Sequence, residues 1–327
     1  MKTFTQLKDK TILVTGGTGT FGRAFVRRIL QEKVKKVIVF SRDELKQSEM
    51  QQEFKDHAKR LRFFLGDIRD LARLERAFEG VDIVVHAAAL KQVPATEYNP
   101  MEAVKTNIIG SQNVVDAAIN KKVKKAILIS SDKAVWPVNL YGATKLAAEK
   151  LFVAANAYVG DNPTKFSVMR YGNVVGSRGS FIELIQRQKQ TGIITVTHEL
   201  MTRFWIRIDQ VVDVILECTD MMQGGEIFVP KMKNMLVADV VKVLAPDCEI
   251  KITGIRPGEK MHETLVTDHE APRTKDVGPA YAIRPEFGST NLSYLDKKPD
   301  MPKDFVFISN NPKFTLSAKE AKQMFNA

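Results

Sequence analysis

The stretch TGGTGTFG, residues 15–22, constrains this chain more than any other. It follows the short β-branched run TILV and leads into a segment predicted as a helix over Gly22–Gln31. Gly16, Gly19 and Gly22 have the spacing of a dinucleotide-binding turn. The first glycine lets the chain turn tightly off a strand, the second lets the backbone approach a pyrophosphate, and the third lets the helix pack close to the sheet. Backbone N–H groups at the helix start then face the anion. Glycine-rich turns are common, so the placement between a predicted strand and a predicted helix carries the inference. Thr18, Thr20 and Phe21 lie inside the turn and join the glycines as expected cofactor contacts.

The rest of the first half has the rhythm this turn requires. Apolar runs TILVTG (11–16), KVIVFS (36–41), LRFFLG (61–66), DIVVHA (82–87), AILIS (126–130) and FSVMRY (166–171) are short and nearly continuous. Strands buried on both faces of a parallel sheet read this way. Helix-period segments separate them, among them Leu71–Phe78, Met101–Ile119 and Leu140–Ala157. The expectation is an α/β fold, a doubly wound parallel sheet of the Rossmann kind with right-handed crossovers. After about Tyr171 the rhythm loosens. Asp209–Met222 reads as a further helix, and EIFVP (226–230) as a strand returning to the main sheet. The expected division is a cofactor domain over 1–173, joined by 207–230, and a smaller substrate-binding domain from 174–206 and 231–327. The tail beyond about Asp300 is weakly patterned.

Composition narrows the function classes. The formal charge is +11, but the basic residues are dispersed and lack a helix-turn-helix, zinc or aromatic-stacking pattern, so nucleic acid is not the expected partner. A multiply anionic small molecule and cofactor suit the balance. No apolar run approaches the roughly 20 residues of a membrane span, and the polar start MKTFTQLKDK does not read as a signal peptide. The two cysteines, Cys218 and Cys248, and the five histidines show no metal-ligand spacing. No metal site is expected, and a reducing cytoplasm fits.

Cofactor choice turns on the end of the second strand, where an acidic residue would hold the ribose 2′-hydroxyl of NAD. Ser41 and Arg42 stand there instead, with Lys46 one turn on. A guanidinium binds a 2′-phosphate bidentately, which favours NADP, although Asp43 and Glu44 are close by. Asp67 and Ile68 follow the third strand and are expected beside the adenine. Ala87, Ala88 and Ala89 form a small-residue loop past the fourth, beside the cofactor.

The chemistry-bearing stretch is SSDKAVWPVNLYGATK, residues 130–145. Tyr141 and Lys145 lie four apart at a predicted helix start, so both point to one face. A phenol is too weak an acid to serve as a base at neutral pH. A neighbouring ammonium and a positive nicotinamide would favour its phenolate. With Ser130 and Ser131 at the preceding strand end, these residues resemble the extended short-chain dehydrogenase/reductase superfamily. SRDELKQSEM (41–50), GDIRD (66–70), HAAALKQVPATEYNP (86–100), SDKAVWPVNLYGATK (131–145), RYGNVVGSRGS (170–180), MTRFW (201–205), GGEIFVPK (224–231) and IRPGEK (255–260) narrow the likeness. Together they resemble the inverting UDP-N-acetylglucosamine 4,6-dehydratases, which begin pseudaminic acid biosynthesis, nearly throughout the chain to about Val266.

That resemblance gives the adjacent Asp132–Lys133 pair a role. Eliminating water across C5 and C6 of a hexose needs an acidified C5–H, which a transient C4 ketone supplies. Tyr141 and Lys145 serve the redox part, and the elimination needs a second acid and base. Lys133 is assigned as the C5 base, its ammonium expected to be destabilised by burial, Lys145 and NADP. Asp132 is assigned as the acid at the 6-hydroxyl. By resemblance, Asn173, Ser177, Arg178, Arg256 and Glu259 contact the nucleotide diphosphate, and Lys91 approaches the sugar or nicotinamide. The implied partners are UDP-N-acetylglucosamine and further copies of the chain, as a hexamer or dimer.

Three positions depart from the family pattern: Gln92 stands where a His is usual, Ser131 where Thr is more frequent, and Trp136 where the residue is smaller and polar. Trp136 beside the active loop is expected either to narrow the sugar pocket or to cap it. The rival readings are a nucleotide-sugar epimerase, which needs no Asp132–Lys133 pair, and a retaining dehydratase, which would show Asp–Glu there. A non-catalytic NADP-binding regulator would have no use for Tyr141, Lys145, Asp132 and Lys133 together.

Overall fold

The computed structural model describes residues 2–177, 179–287 and 291–325. Its centre is a nine-stranded sheet. Strands β1 (Thr11–Thr15), β2 (Lys36–Ser41), β3 (Leu61–Leu65), β4 (Ile83–His86), β5 (Lys125–Ser131) and β6 (Lys165–Tyr171) fall where the apolar runs place them. Their spatial order is β3-β2-β1-β4-β5-β6, all parallel. The order reverses between β1 and β4, where Thr15 pairs with His86 at the carboxyl ends. A ligand crevice belongs at such a switch point.

Beyond β6 the sheet continues with Ile227–Pro230, parallel to β6, as the sequence led to expect. Two antiparallel strands, Ala280–Ile283 and Thr274–Asp276, then extend it. Both fall within 231–327, the span expected to form the smaller domain. They are four and three residues long, and runs that short carry no periodic signal that says which sheet they will join. A second difference concerns β3, expected to be buried on both faces. It is an edge strand, so Arg62 and Leu65 are exposed while Leu61 is buried.

Alternation along the strands feeds two cores. Ile12 and Val14 pack on one face and Leu13 on the other, all fully buried. The helix expected over Met101–Ile119 is a composite. Pro100–Ala103 passes into a wider π-turn segment, Val104–Ile109, before Gly110–Asn120 resumes α geometry. Such insertions often sit at functional sites, and this one brings Thr106 to the crevice and Asn107 against Leu90 of the loop after β4.

The smaller part contains a three-stranded sheet of Asn173–Val175, Thr202–Arg207 and Lys233–Leu236. The weakly patterned tail folds onto it. Phe307 is fully buried in a strand paired with Thr264–Val266, and Phe325 meets Trp205 edge to face at 5.3 Å. Each such aromatic contributes roughly 1.5–3 kcal/mol by burial. A buried ion cluster stitches the parts together: Arg170 of β6 meets Glu149 at 2.7 Å and Glu270 at 3.0 Å.

Candidate active site

A cleft of about 1050 Å³ opens at the carboxyl ends of the strands, roofed by the smaller part. Its dinucleotide end is built by the glycine turn. Gly16 has φ +65°, and a β-carbon there would lie 2.8 Å from the Ala88 backbone. Gly22 packs the first helix (α1, Thr20–Ile29) so close that its β-carbon would lie 2.4 Å from the Gly17 backbone. These are the tight turn and the close helix approach that the spacing implied. Gly16, Thr18, Gly19, Thr20, Phe21 and Gly22 all line the cleft, as do Asp67, Ile68 and Ala87–Ala89.

At the far end, Thr18 Oγ1 lies 2.9 Å from Ser41 Oγ, joining the turn to the end of β2. Arg42 and Lys46 line the same wall. Arg42 lies 3.6 Å from Asp67, whose firmer partner is Arg69 at 2.7 Å. Asp43 caps the following helix by accepting from the Lys46 N–H and also pairs with the Lys46 ammonium. Asp43 is therefore occupied as a cap, and two cations edge this rim.

The loop after β4 is held by residues that periodicity could not assign. Ala88 N–H donates to Thr15 Oγ1, which lies 2.7 Å from His86 Nδ1. His86 Nε2 is 3.0 Å from Ser111 Oγ, and Ser111 donates to the Asn107 carbonyl at 2.6 Å. Because Ser111 spends its proton there, His86 Nε2 must donate and Nδ1 accept. Burial lowers the His86 pKa to about 3, with Lys145 adding to the effect, so the ring is neutral. Asn107 holds Leu90 by both its N–H and its carbonyl, at 2.8 Å each, and reaches Thr144 at 3.0 Å.

The wall that carries Tyr141, Lys145 and Lys133 joins two elements. The Leu140–Tyr158 helix starts at Asn139, whose side chain accepts from Gly142 N–H at 2.8 Å. It carries Tyr141 and Lys145 into the cleft. Lys145 Nζ donates to the Ile129 carbonyl at 2.7 Å, and burial lowers its pKa to about 8, with Glu149 opposing. The end of β5 supplies the other pair. Ser131 donates to Asp132 Oδ1 at 2.8 Å, and Lys133 Nζ lies 3.1 Å from the same oxygen.

Here the structure corrects the electrostatic expectation. Lys133 is raised above the ordinary lysine value, not lowered. Burial pushes it down, but the charges of Asp132 and of Glu263, at 3.5 Å, outweigh burial and the nearby Arg203. Tyr141 is also raised, chiefly by burial. The charge that favours its phenolate is that of Lys133, aided by a Ser131 hydrogen bond. Asp132 is only 1% exposed and sits just behind the cleft wall, touching it through Ser131 and Lys133. Its Oδ2 is buried without a hydrogen-bond partner.

Glu263, Lys260 and Arg203 complete this corner, and the sequence reading named none of them. Lys260 Nζ lies 3.3 Å from Glu263, and Arg203 Nε lies 4.0 Å away. Glu263 stands four residues past Glu259 and Arg203 within MTRFW, so proximity to quoted motifs was the signal available. Lys91, Asn173, Ser177, Arg256 and Glu259 line the substrate end of the cleft, while Arg178 lies outside the described residues. Gln92 lines it too. Trp136 does not: it is 53% exposed with φ 44°, turned to solvent beside the loop.

Fold and site together define an extended short-chain dehydrogenase/reductase with an Asp132–Lys133 ion pair beside Tyr141 and Lys145. The chain belongs to the polysaccharide biosynthesis protein family, whose model matches residues 12–285, and within it groups with the inverting UDP-N-acetylglucosamine 4,6-dehydratases. It is 46% identical over 327 residues, 97% of each chain, to the UDP-N-acetylglucosamine 4,6-dehydratase (inverting) of Campylobacter jejuni serotype O:2. It is 40% identical to the UDP-glucose 4-epimerase of Rickettsia typhi, covering 97% of this chain and 95% of the relative. The X-ray structure of Pen from Bacillus thuringiensis superposes with a TM-score of 0.89 at 39% identity, over 98% of both chains. Among the described residues no helix is long and apolar enough to cross a membrane.

Proposed function

We propose that the protein is a UDP-N-acetylglucosamine 4,6-dehydratase that inverts C5, uses NADP, and opens the route to pseudaminic acid. The observation that carries this is the single wall on which Tyr141 and Lys145 adjoin Lys133, with Asp132 directly behind it at 3.1 Å from the Lys133 amine. A bound NADP would supply reversible hydride storage between C4 and C6. The glycine cradle fits a dinucleotide, and Arg42, Lys46, Ser41 and Thr18 would hold the 2′-phosphate.

The residues divide the proton work. Tyr141 takes the 4-hydroxyl proton as the ketone forms. Lys133 passes a proton to Asp132 across their 3.1 Å contact, which leaves an amine and a carboxylic acid. The amine takes the C5 proton, and the Asp132 proton, relayed through the Ser131 hydroxyl that lines the cleft, leaves with the 6-hydroxyl as water. Lys133 then returns a proton to C5 on the opposite face. Ser131, in contact with Asp132 and Tyr141, passes the proton held by Tyr141 back to Asp132. The sum is loss of one water.

Lys91 meets the sugar, and Arg256, Ser177, Asn173, Glu259 and Arg178 the diphosphate. In the same reading 1–173 and 207–230 serve the cofactor, 174–206 and most of 231–327 the substrate, in a cytoplasmic dimer or hexamer. The name of the Rickettsia relative favours a second reading, a 4-epimerase, which leaves Asp132 and Lys133 without a task. Offering UDP-N-acetylglucosamine and UDP-glucose separately, with NADP, and identifying products by NMR separates them. A 4-keto-6-deoxy sugar supports the dehydratase; a 4-epimer alone replaces it with the epimerase.

A further inference from the structure

Lys133 has two carboxylate neighbours, one adjacent in sequence and one from a distant segment of the chain. Asp132 precedes it at the end of β5, at 3.1 Å. Glu263 arrives from the segment before Thr264–Val266, at 3.5 Å, with its side chain 3% exposed. The Glu263 backbone is fixed on both sides: its N–H donates to Ser309 Oγ at 2.9 Å, and Ser309 N–H donates to its carbonyl at 2.8 Å. Ser309 Oγ in turn lies 2.7 Å from Thr202 Oγ1. The carboxylate is therefore aimed by the smaller part of the molecule, not by the active loop.

The two carboxylates differ in what else they meet. Asp132 Oδ1 accepts from Ser131 and Lys133, whereas Glu263 also faces Lys260 at 3.3 Å and Arg203 at 4.0 Å. Three cations therefore surround the Glu263 carboxylate, and one meets that of Asp132. Asp132 is the one within hydrogen-bond reach to take the Lys133 proton, and Glu263 is the fixed counter-charge that opposes its release. Arg203 and Lys91 act on Lys133 in the other direction, and Tyr141 faces Lys133 across the wall.

We propose that Glu263 is a positioning residue that aims the Lys133 amine into the cleft and sets the pH at which that amine becomes a base. The role as base rests on the dehydratase reading; the grip of Glu263 on Lys133 does not. Removing the Glu263 charge leaves Lys133 beside Arg203 with one carboxylate, so its ammonium loses its proton more readily. Each pH unit of such a shift multiplies the neutral fraction about tenfold.

Two readouts test this. Competitive acetylation with acetic anhydride at pH 8, read by peptide mapping against an exposed lysine such as Lys242, reports the neutral fraction of Lys133 without any substrate. Glu263→Gln should raise Lys133 labelling about tenfold or more, and Glu263→Asp by less. Should the Gln variant not fold, the Asp variant carries the test. Unchanged Lys133 labelling in a folded variant overturns the proposal. In the holoenzyme with UDP-N-acetylglucosamine, Glu263→Gln should also shift the rising limb of C5–H exchange against pH by about one unit downward, lowering kcat more than it changes KM. An unmoved limb also counts against it. If the wild type shows no C5 exchange at any pH, the dehydratase reading fails, and the acetylation result still decides the Glu263–Lys133 coupling.

Discussion

Gly142 lies directly against the carbonyl of Lys133: a β-carbon at Gly142 would sit 2.1 Å from that oxygen and 3.0 Å from its carbon. One residue after Tyr141, the absence of a side chain lets the helix of Tyr141 and Lys145 dock on the loop that bears Asp132 and Lys133. The two pairs are therefore adjacent because of a glycine inside YGATK, at a position with ordinary helical backbone.

Gly142→Ala is predicted to push the helix start away from the loop. Overpacking of this kind costs about 1–3 kcal/mol, and the displacement falls on Tyr141 and Lys133 together. The expected outcome is a lowered Tm by differential scanning calorimetry and a loss of turnover larger than the loss of cofactor binding. A variant with wild-type turnover would show that the contact does not set the site.

Lys133→Met is predicted to abolish deuterium incorporation at C5 while NADP still binds, because Lys133 lies on the catalytic wall and the dinucleotide turn is elsewhere. Isothermal titration with NADP and NMR of the sugar in D2O read the two properties separately. Unchanged exchange would remove Lys133 as the base.

Arg42→Ala is predicted to weaken NADP binding roughly tenfold or more and to leave NAD binding nearly unchanged. Charge-assisted hydrogen bonds to a phosphate are worth roughly 1.5–3 kcal/mol. Titration with both cofactors checks it, and equal losses for the two would place Arg42 away from the 2′-phosphate.

His86 makes stability depend on pH. Its folded pKa is lowered from 6.5 to about 3, so between those values the unfolded chain binds more protons. Stability is then full above about pH 6.5 and falls as pH drops toward 3, by an amount on the order of a few kcal/mol. Urea unfolding across pH 3.5–7 should show this slope, and His86→Gln should flatten it. A slope unaffected by the substitution would mean other groups carry it.

Much of this was legible in the chain. Glycine spacing and six apolar runs foretold the parallel sheet, because burial on both faces leaves a continuous hydrophobic signature. The cofactor residues and Tyr141, Lys133 and Lys145 follow strand ends, so position along the chain already meant position in the cleft. Glu263, Lys260 and Arg203 were not legible, since their meeting depends on strands paired far apart in sequence. The sign of the Lys133 shift was missed for the same reason: its second carboxylate comes from 130 residues away. Trp136 looked like a pocket residue from its neighbours, yet a left-handed backbone turns the loop there to solvent.

The central claim is that one wall both makes a ketone and uses it to expel water. Incubating the protein with UDP-N-acetylglucosamine and NADP in D2O, and following C5 and C6 by NMR, tests it most directly. The account predicts a 4-keto-6-deoxy product with deuterium at an inverted C5. A product retaining its original C5 configuration, or a sugar recovered unreacted, would contradict it.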